Sequence, residues 1–249
     1  MTIAILSALP EEQHGLEALL ALPVVTRHAG RRFVAGVLQG QPVVLALSGI
    51  GKVAAATTAT ALVERFAVQS LLFSGVAGGL ASQVRVGDMV VATACLQHDM
   101  DASPLFPRHE VPLYGMARFP LDASLGALLL EATSAVSAAA YEVFGADICA
   151  RYGLQRMQAH AGLLLSGDRF VSSVTESAAL RAELPDGLAV EMEAAAVAQV
   201  CHDYALPFAA MRTISDRADD TAHVDFAAFL RDVAGLAACA TIVRWLNLL

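Results

Sequence analysis

Three apolar runs in this chain end abruptly in carboxylate. Thr2-Ile-Ala-Ile-Leu-Ser-Ala8 leads into Pro10-Glu11-Glu12, Gly187-Leu-Ala-Val-Glu-Met-Glu193 closes on two glutamates, and Ala210-Met-Arg-Thr-Ile-Ser-Asp216 closes on an aspartate. An unbroken apolar run of this length reads as a strand buried on both faces, so the sheet that holds it needs helices on both sides. In open α/β sheets small molecules bind outside the carboxyl ends of such strands. The pattern predicts that Glu12, Glu193 and Asp216 face one cavity from three strand ends. A single acid at a helix N-terminus is also explained by the helix dipole alone; three in equivalent positions point to working groups.

With 56% apolar and 16% charged residues, a chain of 249 residues can bury a large core, and one globular domain over 1–249 is expected. The net charge of −8 and the scatter of its 16 basic residues leave no electrostatic footprint for nucleic acid. Cys95, Cys149, Cys201 and Cys239 lie far apart with no C-x-x-C or Cys/His ligand spacing. They read as buried small hydrophobes in a reducing compartment. His98-Asp-Met-Asp101 has no third ligand, so no metal is expected, and no cofactor motif is found. The first apolar run has no basic segment before it and meets Glu11 and Glu12 early, unlike a signal peptide. Val233 to Val243 reads as too short to span a bilayer. A cytoplasmic protein without membrane contact is expected.

Strand-like and helix-like segments alternate along the chain, which predicts an α/β fold: a three-layer arrangement with a central mixed, twisted sheet flanked by helices. Arg32 to Gln39 and Gln41 to Ser48 read as a hairpin turning at Gly40, with a helix from Lys52 to about Phe66. Ser70 to Ser74 reads as a short strand and Val84 to His98 as another. Asp99 to Pro120, carrying Pro104, Pro107, Pro112 and Pro120, is the one long irregular stretch, of a length that is usually functional. Helix is expected over Ala123 to Phe144, strand over Met157 to Leu165, and a helix start at Ser173, which has capping-box spacing to Glu176. Glu193 to Tyr204, Phe208 to Ile214 and Asp225 to Leu248 complete the alternation.

Ser74-Gly-Val-Ala-Gly-Gly79 reads as a strand followed by a tight loop that lets backbone approach a ligand. It is neither a Walker A loop nor G-x-G-x-x-G, and Gly49-Ile50-Gly51-Lys52 has no Ser or Thr after its lysine, so ATP is not assigned. No G-x-S-x-G surrounds any serine.

Ile5-Leu-Ser-Ala-Leu-Pro-Glu-Glu12, Ser48-Gly-Ile-Gly-Lys-Val-Ala-Ala55, Ala77-Gly-Gly-Leu80 with Val86-Gly-Asp88, Ser166-Gly-Asp168 with Phe170, Val190-Glu-Met-Glu-Ala194 and Arg212-Thr-Ile-Ser-Asp216 follow one another over nearly the whole chain. In this the sequence resembles the 5′-methylthioadenosine/S-adenosylhomocysteine nucleosidases of the nucleoside phosphorylase superfamily. The resemblance implies hydrolysis of an adenine N-glycosidic bond, with Asp216 as general acid on the purine, Ser215 orienting it, and Glu12 activating water. It implies that Glu193 holds the ribose hydroxyls, with Arg212 and Glu191 in a polar network near Glu12. Met192 would pack under the ribose, Phe170 stack on adenine and the backbone of Val171 read the purine edge. Ala77 and Gly78 belong to the substrate-binding set, and Leu9, Ile50 and Phe226 match positions that form an apolar 5′ pocket. A homodimer is implied, with Leu105 and Phe106 near the neighbouring pocket. Val76 departs from the pattern, standing where a hydroxyl residue is expected. Phosphorolysis of a purine nucleoside, a nucleosidase with another 5′ substituent, and a non-catalytic nucleoside-binding module stay open beside this reading.

Overall fold

Among the described residues ten strands carry the fold: β1 (Ile3–Ser7), β2 (Ala21–His28), β3 (Arg31–Leu38), β4 (Gln41–Leu47), β5 (Ser70–Gly79), β6 (Met89–Gln97), β7 (Arg118–Pro120), β8 (Ala159–Ser166), β9 (Gly187–Glu191) and β10 (Phe208–Asp216). The computed structural model describes residues 2–219 and 226–249. The helices are α1 (Lys52–Phe66), α2 (Ala123–Ala138), α3 (Ala140–Tyr152), α4 (Val174–Glu183), α5 (Ala194–Asp203) and α6 (Phe226–Leu248). Asp225, where the sequence reading starts the last helix, lies outside the described residues.

The sheet runs β10-β6-β8-β9-β5-β1-β4-β3-β2, with β7 on β6, and a further pairing of β10 with β5 closes five of the strands into a ring. Strands β1, β4, β5 and β10 are mutually parallel; β6, β8 and β9 run the other way. The sheet is therefore mixed, as expected. Its acids do not share one carboxyl edge, however. β1 ends beside Phe73 and Ser74 at mid-height of β5, while β9 arrives from the opposite direction and pairs Val190 with Gly78. Two strand ends meet at neighbouring levels of one long strand, and the site lies where they meet.

Layers on both faces bury the sheet. α2, α3 and α6 cover one face through Leu129, Val136, Phe144, Ile242 and Trp245, and α1 and α5 cover the other through Ala55, Ala59, Leu62, Val197 and Cys201. α6 extends over 23 residues and is long and apolar enough to cross a membrane, which corrects the shorter run read from sequence. Its apolar side is spent on the core: Val233, Ala237, Ile242 and Trp245 are fully buried.

Several local features follow the sequence rules. The hairpin turns on Gln39 and Gly40, both at positive φ, the geometry whose twist suits two paired strands. Ser173 caps α4 by accepting from the Glu176 backbone at 3.2 Å. Other features differ. The helix read from Ala123 to Phe144 is two helices bent by 54°, with Gly145 in a non-helical conformation inside the second. After β1 the chain makes two 3-10 turns, Pro10–Gln13 and Glu17–Leu19, rather than one continuous helix. The glycine run is no loop: β5 continues as a strand through Gly79, paired with β10 on one side and β9 on the other.

Candidate active site

Glycine in β5 serves the absence of a side chain rather than a turn. A Cβ on Gly75 would lie 2.8 Å from Glu12 Oε1, and one on Gly78 would lie 2.9 Å from both Asp216 Oδ1 and the Ala218 Cβ. The strand surface is kept bare where two carboxylates press on it. Gly78→Ala should displace Asp216 and cost on the order of 10²-fold in turnover, with the fold retained, as read by steady-state kinetics beside a melting curve.

Glu12 stands on the 3-10 turn after β1, where Pro10 at the first turn fixes the backbone. Its Oε2 accepts from the Ala8 and Leu9 backbone N–H groups at 2.8 Å each, and its Oε1 from Val76 N–H at 3.0 Å. Burial pushes its pKa up, while the Arg212 charge and those three donors hold it back. The carboxylate is thus fixed in direction and kept basic.

Asp216, the last residue of β10, accepts from Ser215 Oγ–H at 2.7 Å and from Ala218 N–H at 2.7 Å. Its pKa is raised by burial, against the lowering effect of these two donors. Glu193 follows β9 and accepts from Gly51 N–H at 2.8 Å. Burial first, and then the neighbouring Glu191 charge, push its pKa to about 8. A buried acid with a raised folded pKa favours the fold while it keeps its proton. That stability is full below the ordinary glutamate value and is lost as pH rises through about 8. The melting temperature of the ligand-free protein should therefore fall across this range, and Glu193→Gln should flatten the slope; thermal scans over pH check both.

Glu191 and Arg212 form the buried support. Arg212 is 1% exposed and gives Nε (3.2 Å) and Nη2 (2.6 Å) to Glu191 Oε2, while Nη1 serves the carbonyls of Phe73 and Met211. Its guanidinium lies over the Phe73 ring at 4.2 Å. Glu191 also accepts from Ser166 Oγ–H and from the Glu193 and Ala194 backbones.

These groups surround a cavity of about 360 Å³. Glu12, Glu191, Glu193 and Asp216 line it, together with Leu9, Ile50, Ala77, Gly78, Phe170, Val171, Met192, Ser215 and Phe226. Phe170 and Phe226 meet edge to face at 6.0 Å. Of the residues singled out from sequence, Arg212 alone among the substrate-binding set stays behind the wall. Four of its five N–H groups are committed to protein acceptors. Val76 does line the cavity, as do Ala8, Arg169 and Val190, which were not singled out. Arg169 could have been found from its place between Asp168 and Phe170 in a matched motif. Leu105 and Phe106 do not line the cavity of their own chain. Among the described residues no cluster of His, Cys, Asp and Glu is able to hold a metal ion.

A family model described as the phosphorylase superfamily matches residues 2–244. The 5′-methylthioadenosine/S-adenosylhomocysteine nucleosidase of Anoxybacillus flavithermus is 38% identical over 94% of this chain and 93% of its own. The chain belongs to this nucleosidase family. Solved structures agree with the membership. That of the Neisseria meningitidis nucleosidase in complex with methylthio-immucillin-A superposes with a TM-score of 0.86 at 34% identity, covering 100% of this chain and 99% of the other. The futalosine hydrolase of Helicobacter pylori superposes with a TM-score of 0.85 at 32% identity, covering 100% and 98%.

Proposed function

We propose that the chain hydrolyses the N-glycosidic bond of 5′-thio-substituted adenosines, methylthioadenosine and S-adenosylhomocysteine, to give adenine and a thioribose. The observation that carries this reading is the meeting of Glu12, Glu193 and Asp216 around one cavity, in a chain whose relatives are named for that substrate pair. Departure of the purine puts negative charge on the base and positive charge on the sugar. The barrier falls when a proton reaches the base and an anion faces the ribose.

Asp216 donates its proton to purine N7, burial raising its pKa so that it holds the proton to higher pH than an ordinary aspartate, and Ser215 orients it. Glu193 accepts the ribose hydroxyl hydrogen bonds, which strengthen as C1′ becomes cationic. Glu12 orients a water and takes its proton; the water oxygen bonds to C1′ as the C1′–N9 bond breaks and its electron pair passes into the purine. Met192 packs under the ribose, Phe170 stacks on adenine, and the Val171 backbone reads the purine edge beside Ala77 and Gly78. Leu9, Ile50 and Phe226 take the 5′ substituent.

Hydrolysis is favoured over phosphorolysis because phosphate capture needs convergent cations, whereas the guanidinium of Arg212 is bound to Glu191 and that of Arg169 is paired with Glu176. Adenine release from methylthioadenosine should proceed without phosphate and be unchanged by adding it. Release that required phosphate would overturn the reading. Val76 in the cavity wall, with the likeness to a futalosine hydrolase, favours a second reading in which the preferred 5′ substituent differs; an adenosine and inosine analogue panel with varied 5′ groups separates the two.

One continuous sheet through the described residues supports a single catalytic domain over 1–249. A homodimer is the working form, in which Leu105 and Phe106 of one protomer approach the partner's pocket. Leu105 is 83% and Leu113 91% exposed, apolar surface that suits a partner. Sedimentation at twice the 26.0 kDa chain mass is expected. The buried free thiols Cys95, Cys149 and Cys201 support a reducing, cytoplasmic setting.

A further inference from the structure

Three residues outside the cavity close a ring of hydrogen bonds at the start of α1. Asp168 Oδ1 accepts from Lys52 N–H at 2.8 Å; the Asp168 N–H donates to Asp99 Oδ2 at 2.9 Å; and Asp99 Oδ1 accepts from the Lys52 ammonium at 2.6 Å. The ring ties the segments leaving β6 and β8 to the first residue of α1. Lys52 Nζ also donates to Gln97 Oε1 at 3.1 Å, and Gln97 Nε2 donates to Gln199 Oε1 at 2.8 Å, which anchors the ring to α5. Gly51, immediately before Lys52, gives its N–H to Glu193 at 2.8 Å. It does so at φ +97°, and a Cβ there would lie 3.1 Å from Asp168 Oδ1. The backbone that serves Glu193 is thus held in a left-handed conformation with the ring carboxylate directly against it.

We propose that Asp168, with Asp99 and Lys52, is a positioning residue for Glu193: the ring fixes the Gly51 turn so that its N–H holds the Glu193 carboxylate where the ribose hydroxyls arrive. The inference rests on the reading of Glu193 as the ribose-binding acid. Its physical basis is that a hydrogen bond to a carboxyl oxygen is strong only when the donor is held in line, and a glycine at φ +97° leaves that line readily once its neighbour is freed. Asp168 is exposed, as is its bond to Lys52, so its removal leaves the core intact.

The test compares dissociation constants for methylthioadenosine and its 2′,3′-dideoxy counterpart, measured by calorimetry with immediate mixing or with the Asp216→Asn background to stop turnover. Asp168→Ala should weaken the ribose ligand by about tenfold and the dideoxy ligand by less than about threefold. Asp168→Asn keeps an acceptor for Lys52 N–H and should recover most of the loss. Lys52→Met, which breaks the ring at Asp99, should give the same pattern at lower amplitude. Equal weakening of both ligands by Asp168→Ala, or none of either, overturns the proposal. Glu193→Gln is the separate control: if it leaves the preference for the ribose ligand unchanged, the reading of Glu193 falls and the positioning role with it, whereas loss of preference in Glu193→Gln but not in Asp168→Ala rejects the positioning role alone.

Discussion

Asp216→Asn should lower the turnover of adenine release by on the order of 10³-fold while leaving ligand affinity within a few-fold. The amide is nearly isosteric, and both of the side chain's present partners can still be met: Ser215 Oγ is able to accept as well as donate, and an amide oxygen accepts from Ala218 N–H. What the variant lacks is a proton that can be given away. Burial raises the Asp216 pKa, so the acid holds that proton to higher pH than an ordinary aspartate, and activity should decline as pH rises through the raised value. Glu12 needs the opposite state. It takes a proton from water and must be anionic, so activity should also decline as pH falls through its own raised pKa. Pre-steady-state adenine release and a pH profile of kcat/KM check the pair of statements. In Asp216→Asn the alkaline limb should vanish from the residual activity and the acid limb remain. Turnover equal to that of the unaltered protein would remove Asp216 from the chemistry.

Much of this site is legible in the sequence because it stands at the ends of apolar runs. Glu12 and Glu193 follow, and Asp216 ends, a strand whose burial on both faces is written in its composition, and a strand's direction at its end is fixed by the sheet. What the runs do not carry is which strands are neighbours. The pairing of β10 with β5 closes the ring, and no local pattern in either strand announces it. The same ignorance hides the strand character of Gly75 to Gly79: glycine lowers strand propensity, and only the arrival of Glu12 and Asp216 from elsewhere explains its use there. β2 escapes notice for a different reason. Its residues are almost all exposed, so no alternation marks an inner face, and Pro23 sits within it, next to Leu22 at positive φ and at a register shift against β3. Proline is tolerated there because β2 is the edge of the sheet. Arg212 shows the limit on the other side. Its motif identifies it, yet whether its guanidinium points into the cavity or behind it depends on Glu191 and the Phe73 ring.

Arg212→Met should cost about 3–5 kcal/mol of stability, a fall in melting temperature of roughly 10 °C for a chain of this size. The cost comes less from the missing ion pair than from the charge left behind. Glu191 is 7% exposed, and in Arg212→Met its carboxylate would keep only neutral donors, Ser166 Oγ and the Glu193 and Ala194 backbones. Glu191→Gln placed in the same chain removes the stranded charge, so the double variant should be more stable than Arg212→Met alone. Activity follows a second path. The Arg212 charge lowers the pKa of Glu12 against the upward push of burial and does the same for Glu193. Without it both acids hold their protons to higher pH, and the acid limb of kcat/KM should move upward. The double variant does not restore this effect on Glu12, because the missing cation is still missing. Thermal melts of the three proteins and pH profiles of adenine release separate the two consequences: recovery of stability without recovery of the acid limb is the expected pattern. A melting temperature unchanged in Arg212→Met would mean that the pair with Glu191 contributes nothing net to the stability of the fold.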